Sequence, residues 1–479
     1  ADLVASRMGL HFPENRQQDL LRAVRELARE QGGKDTEEYL QALVASPLTD
    51  RQVEILTANL TVGETYFFRE MKSLDAFRDH VIPERLEHRA GVDQRLRIWS
   101  AGCSTGEEAY SIAMILSDVV PNLSAWDIYI LATDINTRAL EKARRGVYTE
   151  WSFRGMPAVL RERFFTPLDP KTFTVKTRFS DKVSFAGLNL ATDTYPSLLN
   201  ETNAMDVIFC RNVLMYLVPE QIQKIIKAFQ HCLVEGGWLI VAPSETCLLH
   251  GTELESVSFE GATLFRKTTL ARQPPAVVPA APPPPGTTRA DVAQVARAPV
   301  VQRSESPFEN AMAAYHAGRY EAAAATLQRF FDAGTPAGYG PSDSGNAFAL
   351  MARIEANQGK LDRALEWSHR ALTVDKTNPG FYYLLATILE EQNRPVEAVQ
   401  ELTRALFLDS SFILAHYALG TIALREQGRK AADRHFRHAA ALLARLPGND
   451  ILPESEGMTA GRLLDIIRSM TVEQEEASP

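Results

Sequence analysis

Two adjacent carboxylates, Glu107 and Glu108, follow a short loop bounded by Gly102 and Gly106, and the loop itself follows an apolar run that begins at Leu96. This order reads as strand, tight loop and helix. Leu96, Ile98 and Trp99 suit a buried strand, the two glycines let the chain turn without a Cβ penalty, and Ser104 or Thr105 is placed to cap the helix that Glu107 opens. A loop at a helix N-terminus points backbone N–H groups at a polar ligand. The spacing is not the full GxGxxG pattern, and the same loop also serves as a plain strand-to-helix connection, so both readings stand at this point. Later apolar runs also end in polar residues: Asp134 after ILAT, Asn189 after VSFAGL, and Arg211 with Asn212 after DVIFC. As a set they suit a nucleoside ligand. A carboxylate ending the second strand can accept both ribose hydroxyls, although Asp134 lies further from the glycines than the dinucleotide fingerprint expects. Asp134 can equally cap the next helix, and Arg211 or Asn212 can simply satisfy loop carbonyls.

Those residues need a scaffold, and the sequence around them alternates strand-like and helical runs: Ile128 to Thr133, then Asn136 to Arg144; Val183 to Leu188; Asp206 to Arg211, then Pro219 to Cys232; Gly237 to Ala242. That rhythm predicts an α/β fold with a doubly wound sheet. Parallel strands buried on both faces give such continuous apolar runs, and their carboxyl ends hold ligands. Val257 to Lys267, with no helix after it, predicts an antiparallel hairpin. Between Gly146 and Lys182 the rhythm lapses, with Phe173 and Val175 hinting at a small strand insertion.

Upstream, Leu20, Leu21, Val24 and Leu27 recur at helical spacing, with Arg22, Arg25 and Arg29 together on the opposite flank. Further helical patterns run from Glu37 to Leu43 and from Asp50 to Leu60, so residues 1–80 are expected to form a helical N-terminal domain ahead of an α/β domain at 81–270. The arginine row reads either as a solvated face or as a dock for an acidic partner helix. After Leu270 the chain turns to QPPAVVPAAPPPPGTT, an extended Pro/Ala-rich linker over 271–306 that is expected to separate independently packed cores.

Beyond the linker the sequence repeats at a period of about 34, the tetratricopeptide period. Met351, Leu385 and Leu419 share one register, Ala352, Ala386 and Gly420 a second, Ala364, Ala398 and Ala432 a third, and Ala371, Ala405 and Ala439 a fourth. Gly359 and Gly428 fall near the turns, and HAGRYEAAAATL, from His316 to Leu327, looks like a divergent first unit. An all-α tetratricopeptide solenoid is therefore expected over 307–447, with a concave groove for a protein or peptide partner. Residues 448–479 are expected to hold a C-terminal capping helix and tail.

A net charge of -9 argues against general nucleic-acid binding. No apolar run is long enough to span a bilayer, and the first residues lack the segments of a signal peptide. Cys103, Cys210, Cys232 and Cys247 show no CxxC spacing, which favours reduced thiols over disulfide or metal roles and a cytoplasmic location.

Four motifs in order, TYFFRE, WSAGCSTGEEAYS, ATDIN and FCRNVLMYL, resemble the CheR-type chemotaxis receptor methyltransferases over residues 1–270. With the repeats added, the chain resembles the WspC-like members of that group. The resemblance implies an S-adenosylmethionine-dependent protein-glutamate O-methyltransferase acting on chemoreceptor cytoplasmic helices. It implies that Thr65 and Arg69 contact the cofactor and reaction centre, that Glu107 or Glu108 holds the methionine amino group, and that Asp134 binds the ribose. Asn189 and Leu190 would flank the adenine, with Gly102 in the first loop, Arg211 and Asn212 completing the pocket and Tyr216 facing the transferred methyl. Gly63 stands where some relatives have Asn, so a backbone contact must replace any side-chain one there. The arginines at 22, 25 and 29 become candidates for the substrate helix. Carboxyl methylation asks for in-line positioning and desolvation rather than a metal or general base. Two alternatives remain: a scaffold that binds cofactor without turnover and acts through its repeats, and a methyltransferase for a different carboxylate.

Overall fold

The structure, a computed structural model, describes residues 1–12, 17–30, 39, 41, 43–44, 50–61, 63–90, 93–268, 307–332 and 341–471. Its centre is a seven-stranded sheet in the order β6-β2-β1-β7-β8-β10-β9, formed by β1 (Arg95–Ala101), β2 (Asp127–Asp134), β6 (Val183–Gly187), β7 (Met205–Cys210), β8 (Leu233–Val241), β9 (Glu255–Phe259) and β10 (Ala262–Arg266). The first five pair in parallel, and β10 and β9 add an antiparallel hairpin at one edge. Every residue of β1 and of β7 is buried, which is why both read as unbroken apolar runs. The order reverses at β1 and β7, so the chain ends after these strands diverge and leave a crevice for a ligand.

Alternate side chains of the strands enter two cores. Trp99, Leu131, Ile208 and Leu239 face one side, where they meet Ile225 and Phe229 of the helix Pro219–Cys232 together with Val24, Leu27, Ile55 and Leu56 of the N-terminal helices. Ile98, Ile130, Phe209 and Ile240 face the other, against Ile112 and Leu116 of the helix Glu107–Val119 and against Phe77 and Val81. The lapse between Gly146 and Lys182 is a second, three-stranded antiparallel sheet, with β5 (Thr172–Val175) between β3 (Val147–Thr149) and β4 (Phe165–Pro167).

The N-terminal region is less separate than its sequence suggests. The helices Asp2–Met8, Gln17–Glu30 and Asp50–Leu60 bury their apolar faces in the core of the large sheet, and Gly9 to His11 bonds back to Tyr216 and Val218. The helical run Met71–Ala76, Phe77–Val81 and Ile82–Arg89 passes straight through residue 80, so no boundary falls there. Most of the helical pattern expected at Glu37 to Leu43 lies outside the described residues.

Eight helices from Pro307–His316 to Arg429–Leu443 form the pairs expected from the 34-residue period, and Ala460–Thr471 caps the stack. The registered small residues Ala352, Ala364, Ala398, Ala432, Ala371, Ala405 and Ala439 are fully buried, because helices packed closely leave no room for more than a methyl. At Gly420 an added Cβ would sit 2.5 Å from Phe436. The first helices of three successive pairs already hold a segment of this chain: Tyr315 Oη donates to Glu456, Arg353 pairs with Glu454, and a Cβ on Gly380 would meet Glu454 at 3.0 Å. A segment of this chain thus lies along that row of first helices.

The linker expected over 271–306 lies outside the described residues, and the repeats pack directly against the sheet half. Glu391 pairs with Arg95 at 3.1 Å and Arg97 at 3.6 Å in a nearly solvent-free contact, and Leu198 and Leu199 pack against the repeat cores. Next to this contact, burial followed by the charge of Glu201 holds the Glu390 carboxyl up at about 7 from an ordinary 4.5, with Arg425 opposing. The folded chain therefore keeps a proton that the unfolded chain releases, so this contribution to stability is complete below pH 4.5 and is lost as pH rises through about 7. Glu390→Gln, which cannot ionise, should raise the unfolding free energy by on the order of 1–3 kcal/mol at about pH 8 and by much less at about pH 5. Urea titrations at the two pH values check this, and equal effects at both would contradict it.

Candidate active site

The glycine loop after β1 folds inward. Gly102 and Cys103 donate their N–H groups to Thr133 at 2.7 and 2.9 Å, Ser104 donates to Asp134 at 2.8 Å, and Gly106 donates to Cys103 at 2.9 Å. These four loop N–H groups are therefore bonded within the protein rather than left for a ligand. The helix cap is Gly106 itself, with φ at 91°, and no side chain completes it; Thr105 instead donates to Glu107 at 2.6 Å. A Cβ at Gly102 would lie 2.4 Å from Val213, so only glycine lets the two loops meet here.

Asp134 ends β2 with one oxygen accepting from Ser104 and the other from the Asn136 N–H at 2.8 Å. Burial pushes its carboxyl up from the ordinary range, against the backbone N–H groups that hold it down. Capping of the next helix falls to Asn136, whose Oδ1 accepts from Ala139 at 3.1 Å and whose Nδ2 reaches Thr61 at 2.9 Å. Each carboxylate oxygen of Asp134 still has a lone pair for a ligand hydroxyl.

After β7, Arg211 is buried and bonded to two other segments: to Glu108 at 3.2 Å, and to the adjacent Arg69 and Glu70 through the Arg69 carbonyl and the Glu70 carboxylate at 3.2 Å. Asn212 follows in the left-handed region, at φ 58°, and donates its side chain to Glu70 at 3.2 Å. The turn is held from beneath by Glu245, fully buried, which accepts the N–H groups of Asn212, Val213, Met215 and Ala242 at 2.8–3.2 Å. Glu245 was not singled out in the sequence, where SET after a strand looks like ordinary loop polarity.

These parts border a cleft enclosing about 860 Å³, some of it open to solvent. Of the residues singled out in sequence, Gly102, Asp134, Asn189, Leu190, Asn212 and Tyr216 line it. Arg211 and Glu108 lie behind Asn212. Glu107, almost fully buried, is directed away to Ser152 at 3.0 Å and Thr105. Thr65 and Arg69 follow the lining residue Gly63 in sequence but are not themselves among the residues that border the cleft, and Arg69 Nη1 donates to the Glu64 carbonyl at 2.9 Å. Arg22, Arg25 and Arg29 are exposed on the outer face of Gln17–Glu30 and do not border the cleft. Sequence reasoning missed the wall supplied by Met8, Leu10, His11 and Phe12, and also Ser104, Asn136 and Leu188.

The CheR methyltransferase, SAM binding domain family matches residues 63–261. A chemotaxis protein methyltransferase of Borreliella burgdorferi is 31% identical over 51% of this chain and 85% of its own, and a probable one of Rhizobium etli is 36% identical over 48% and 84%. The chain belongs to the chemotaxis protein methyltransferase family. The probable biofilm formation methyltransferase WspC of Pseudomonas aeruginosa is similar along both halves, at 28% identity over 92% of this chain and 97% of its own. The cofactor of this methyltransferase is accordingly S-adenosylmethionine, and the cleft fits it. Phe12, Leu188 and Leu190 offer an apolar wall to a purine, and Asp134 offers a carboxylate to ribose hydroxyls. No helix among the described residues is long and apolar enough to cross a membrane.

Asp134→Ala should weaken cofactor binding by on the order of 1–3 kcal/mol, since the ribose hydroxyls lose a charged acceptor. Calorimetry with S-adenosylhomocysteine checks this; unchanged affinity in a folded variant would show that Asp134 only fastens the glycine loop.

Proposed function

We propose that this methyltransferase esterifies glutamate side chains on the cytoplasmic helices of chemoreceptors, within the cytoplasm, with chemosensory adaptation as the outcome. The observation that carries the reading is the bond from Arg211 to the Arg69 carbonyl, since it ties the segment bearing Arg69 to the turn that aims Tyr216 into the cleft beside Asp134. In this reading Asp134 holds the ribose and Asn189 and Leu190 flank the purine. Gly102 and Asn212 border the amino-acid portion, and Thr65 and Arg69 contact it from the segment after Gly63. Both adjacent carboxylates are hydrogen-bonded, Glu107 to Ser152 and Thr105 and Glu108 to Ser100 and Arg211; Glu108 is the better partner for the amino group because Arg211 directly precedes the lining residue Asn212.

Bound there, the cofactor supplies a methyl group on a sulfonium centre, which an ionised carboxylate takes as a methyl ester. The protein's task is then alignment. Arg69 orients the incoming carboxylate by charge-assisted hydrogen bonds, Tyr216 lines the transfer path, and the cleft walls strip water from the nucleophile. Arg22, Arg25 and Arg29 face solvent, as a dock for an acidic receptor helix must. The repeats select a protein partner through surface outside the row that Glu454 and Glu456 occupy.

Labelled methyl transferred from the cofactor to receptor-containing membranes should be released as volatile methanol by mild alkali. Arg69→Ala should abolish labelling, and Tyr216→Phe should lower kcat by about tenfold or more with little change in cofactor affinity. Alkali-stable label would refute carboxyl methylation, and tight cofactor binding without transfer to any receptor would favour a non-catalytic scaffold.

A further inference from the structure

The helix Ala460–Thr471 closes the repeat stack, yet Arg462, 275 residues beyond Gly187 in sequence, reaches the methyltransferase half. Its Nη2 donates to the Gly187 carbonyl at 2.9 Å and to Asp193 Oδ2 at 2.7 Å. The same Oδ2 accepts the backbone N–H of Asn189 at 2.7 Å. One guanidinium therefore grips both ends of the turn that follows β6, and that turn contributes Leu188, Asn189 and Leu190 to the cleft.

The contact is part of a continuous seam. A Cβ on Gly457 would meet Thr194 at 3.0 Å, and Leu198 donates its N–H to Glu456 at 3.2 Å, so residues 187–198 lie along residues 456–462. The turn has other restraints, from the Ala191 N–H to Asn189 Oδ1 at 3.0 Å and from Asn189 Nδ2 to the Arg7 carbonyl at 2.9 Å. Among the bonds to Asp193 and Gly187, however, the one from Arg462 is the one that comes from the repeat half. An ion pair only partly exposed, at 32% for Arg462 and 14% for Asp193, retains a share of its strength that a fully solvated pair loses.

We propose that Arg462 is a positioning residue for cofactor binding: the capping helix of the repeats holds the purine-side wall of the cleft through Asp193 and the Gly187 carbonyl. This rests on the reading of the cleft as the cofactor site. It follows that the repeat half is a working part of the methyltransferase, and that a chain cut at Leu270 binds the cofactor less tightly than the whole protein.

The test uses the full chain and S-adenosylhomocysteine, titrated by calorimetry. Arg462→Ala should weaken affinity about three- to tenfold, as expected for loss of a charge-assisted hydrogen bond acting through a loop. It should raise KM for the cofactor with kcat nearly unchanged. Arg462→Lys should restore part of the affinity, and pairing Arg462→Ala with Asp193→Asn should give less than the product of the separate losses. Glu391→Gln, which disturbs the same domain contact away from this turn, should leave affinity as it is. Unchanged affinity in a folded Arg462→Ala chain, with Asp134→Ala still weakening it, would overturn the inference and leave the cofactor site in place. Equal losses from Glu391→Gln and Arg462→Ala would also overturn it, since docking alone would then account for the effect. If neither Asp134→Ala nor Arg462→Ala altered affinity, the site assignment would fall and this inference with it.

Discussion

A buried guanidinium must find acceptors, and Arg211 finds three of them on two separate stretches of chain. Placed at the end of β7, it fastens Glu108 on the helix after the glycine loop, Glu70 ahead of the helical run toward Arg89, and the carbonyl of Arg69. Removing any acceptor leaves a charge in a poorly solvated place, so those two stretches and the end of β7 hold one relative position. Asn212, next in sequence, shares Glu70, and Glu245 gathers the N–H groups of the turn that carries Tyr216. The Asn212 side of the cleft is thus built as a polar network around one cation, and burial pushes the Glu108 carboxyl up even as Arg211 and Ser100 hold it down.

The cofactor side follows a different logic. Asp134 spends its carboxylate on clamping the glycine loop to β2, which turns the loop N–H groups inward and makes the floor of the cleft. A cationic sulfonium ligand with a neutral nucleoside needs acceptors and an apolar wall, and the cleft is rich in both. The same loop chemistry with its N–H groups outward would suit phosphate instead.

Much of this was legible in the sequence. β1, β2 and β7 announced themselves because parallel strands buried on both faces need unbroken apolar runs, and their ends placed Gly102, Asp134 and Asn212. The 34-residue period located the repeats because close helix packing demands small residues at fixed intervals. What could not be read was long-range. Glu245 looked like loop polarity until four backbone donors converged on it, and the wall from Met8 to Phe12 depends on an N-terminal region that shares the sheet's core. The capping expected of Ser104 or Thr105 fell to Gly106, whose left-handed backbone turns the loop more tightly than a side-chain cap allows. The linker's composition spoke of separation, while the charges that join the halves, Arg95 and Arg97 with Glu391, lie far apart in the chain and carry no local signature.

A crystal structure of the full chain with S-adenosylhomocysteine tests the central claim, that one cleft is assembled from the N-terminal segment, the strand ends and the Arg211 network. The account predicts ribose hydroxyls on Asp134, the purine against Leu188 and Leu190, and the sulfur directed toward Tyr216. Ligand bound elsewhere, or bound in this cleft with its ribose away from Asp134 and its sulfur away from Tyr216, would contradict it.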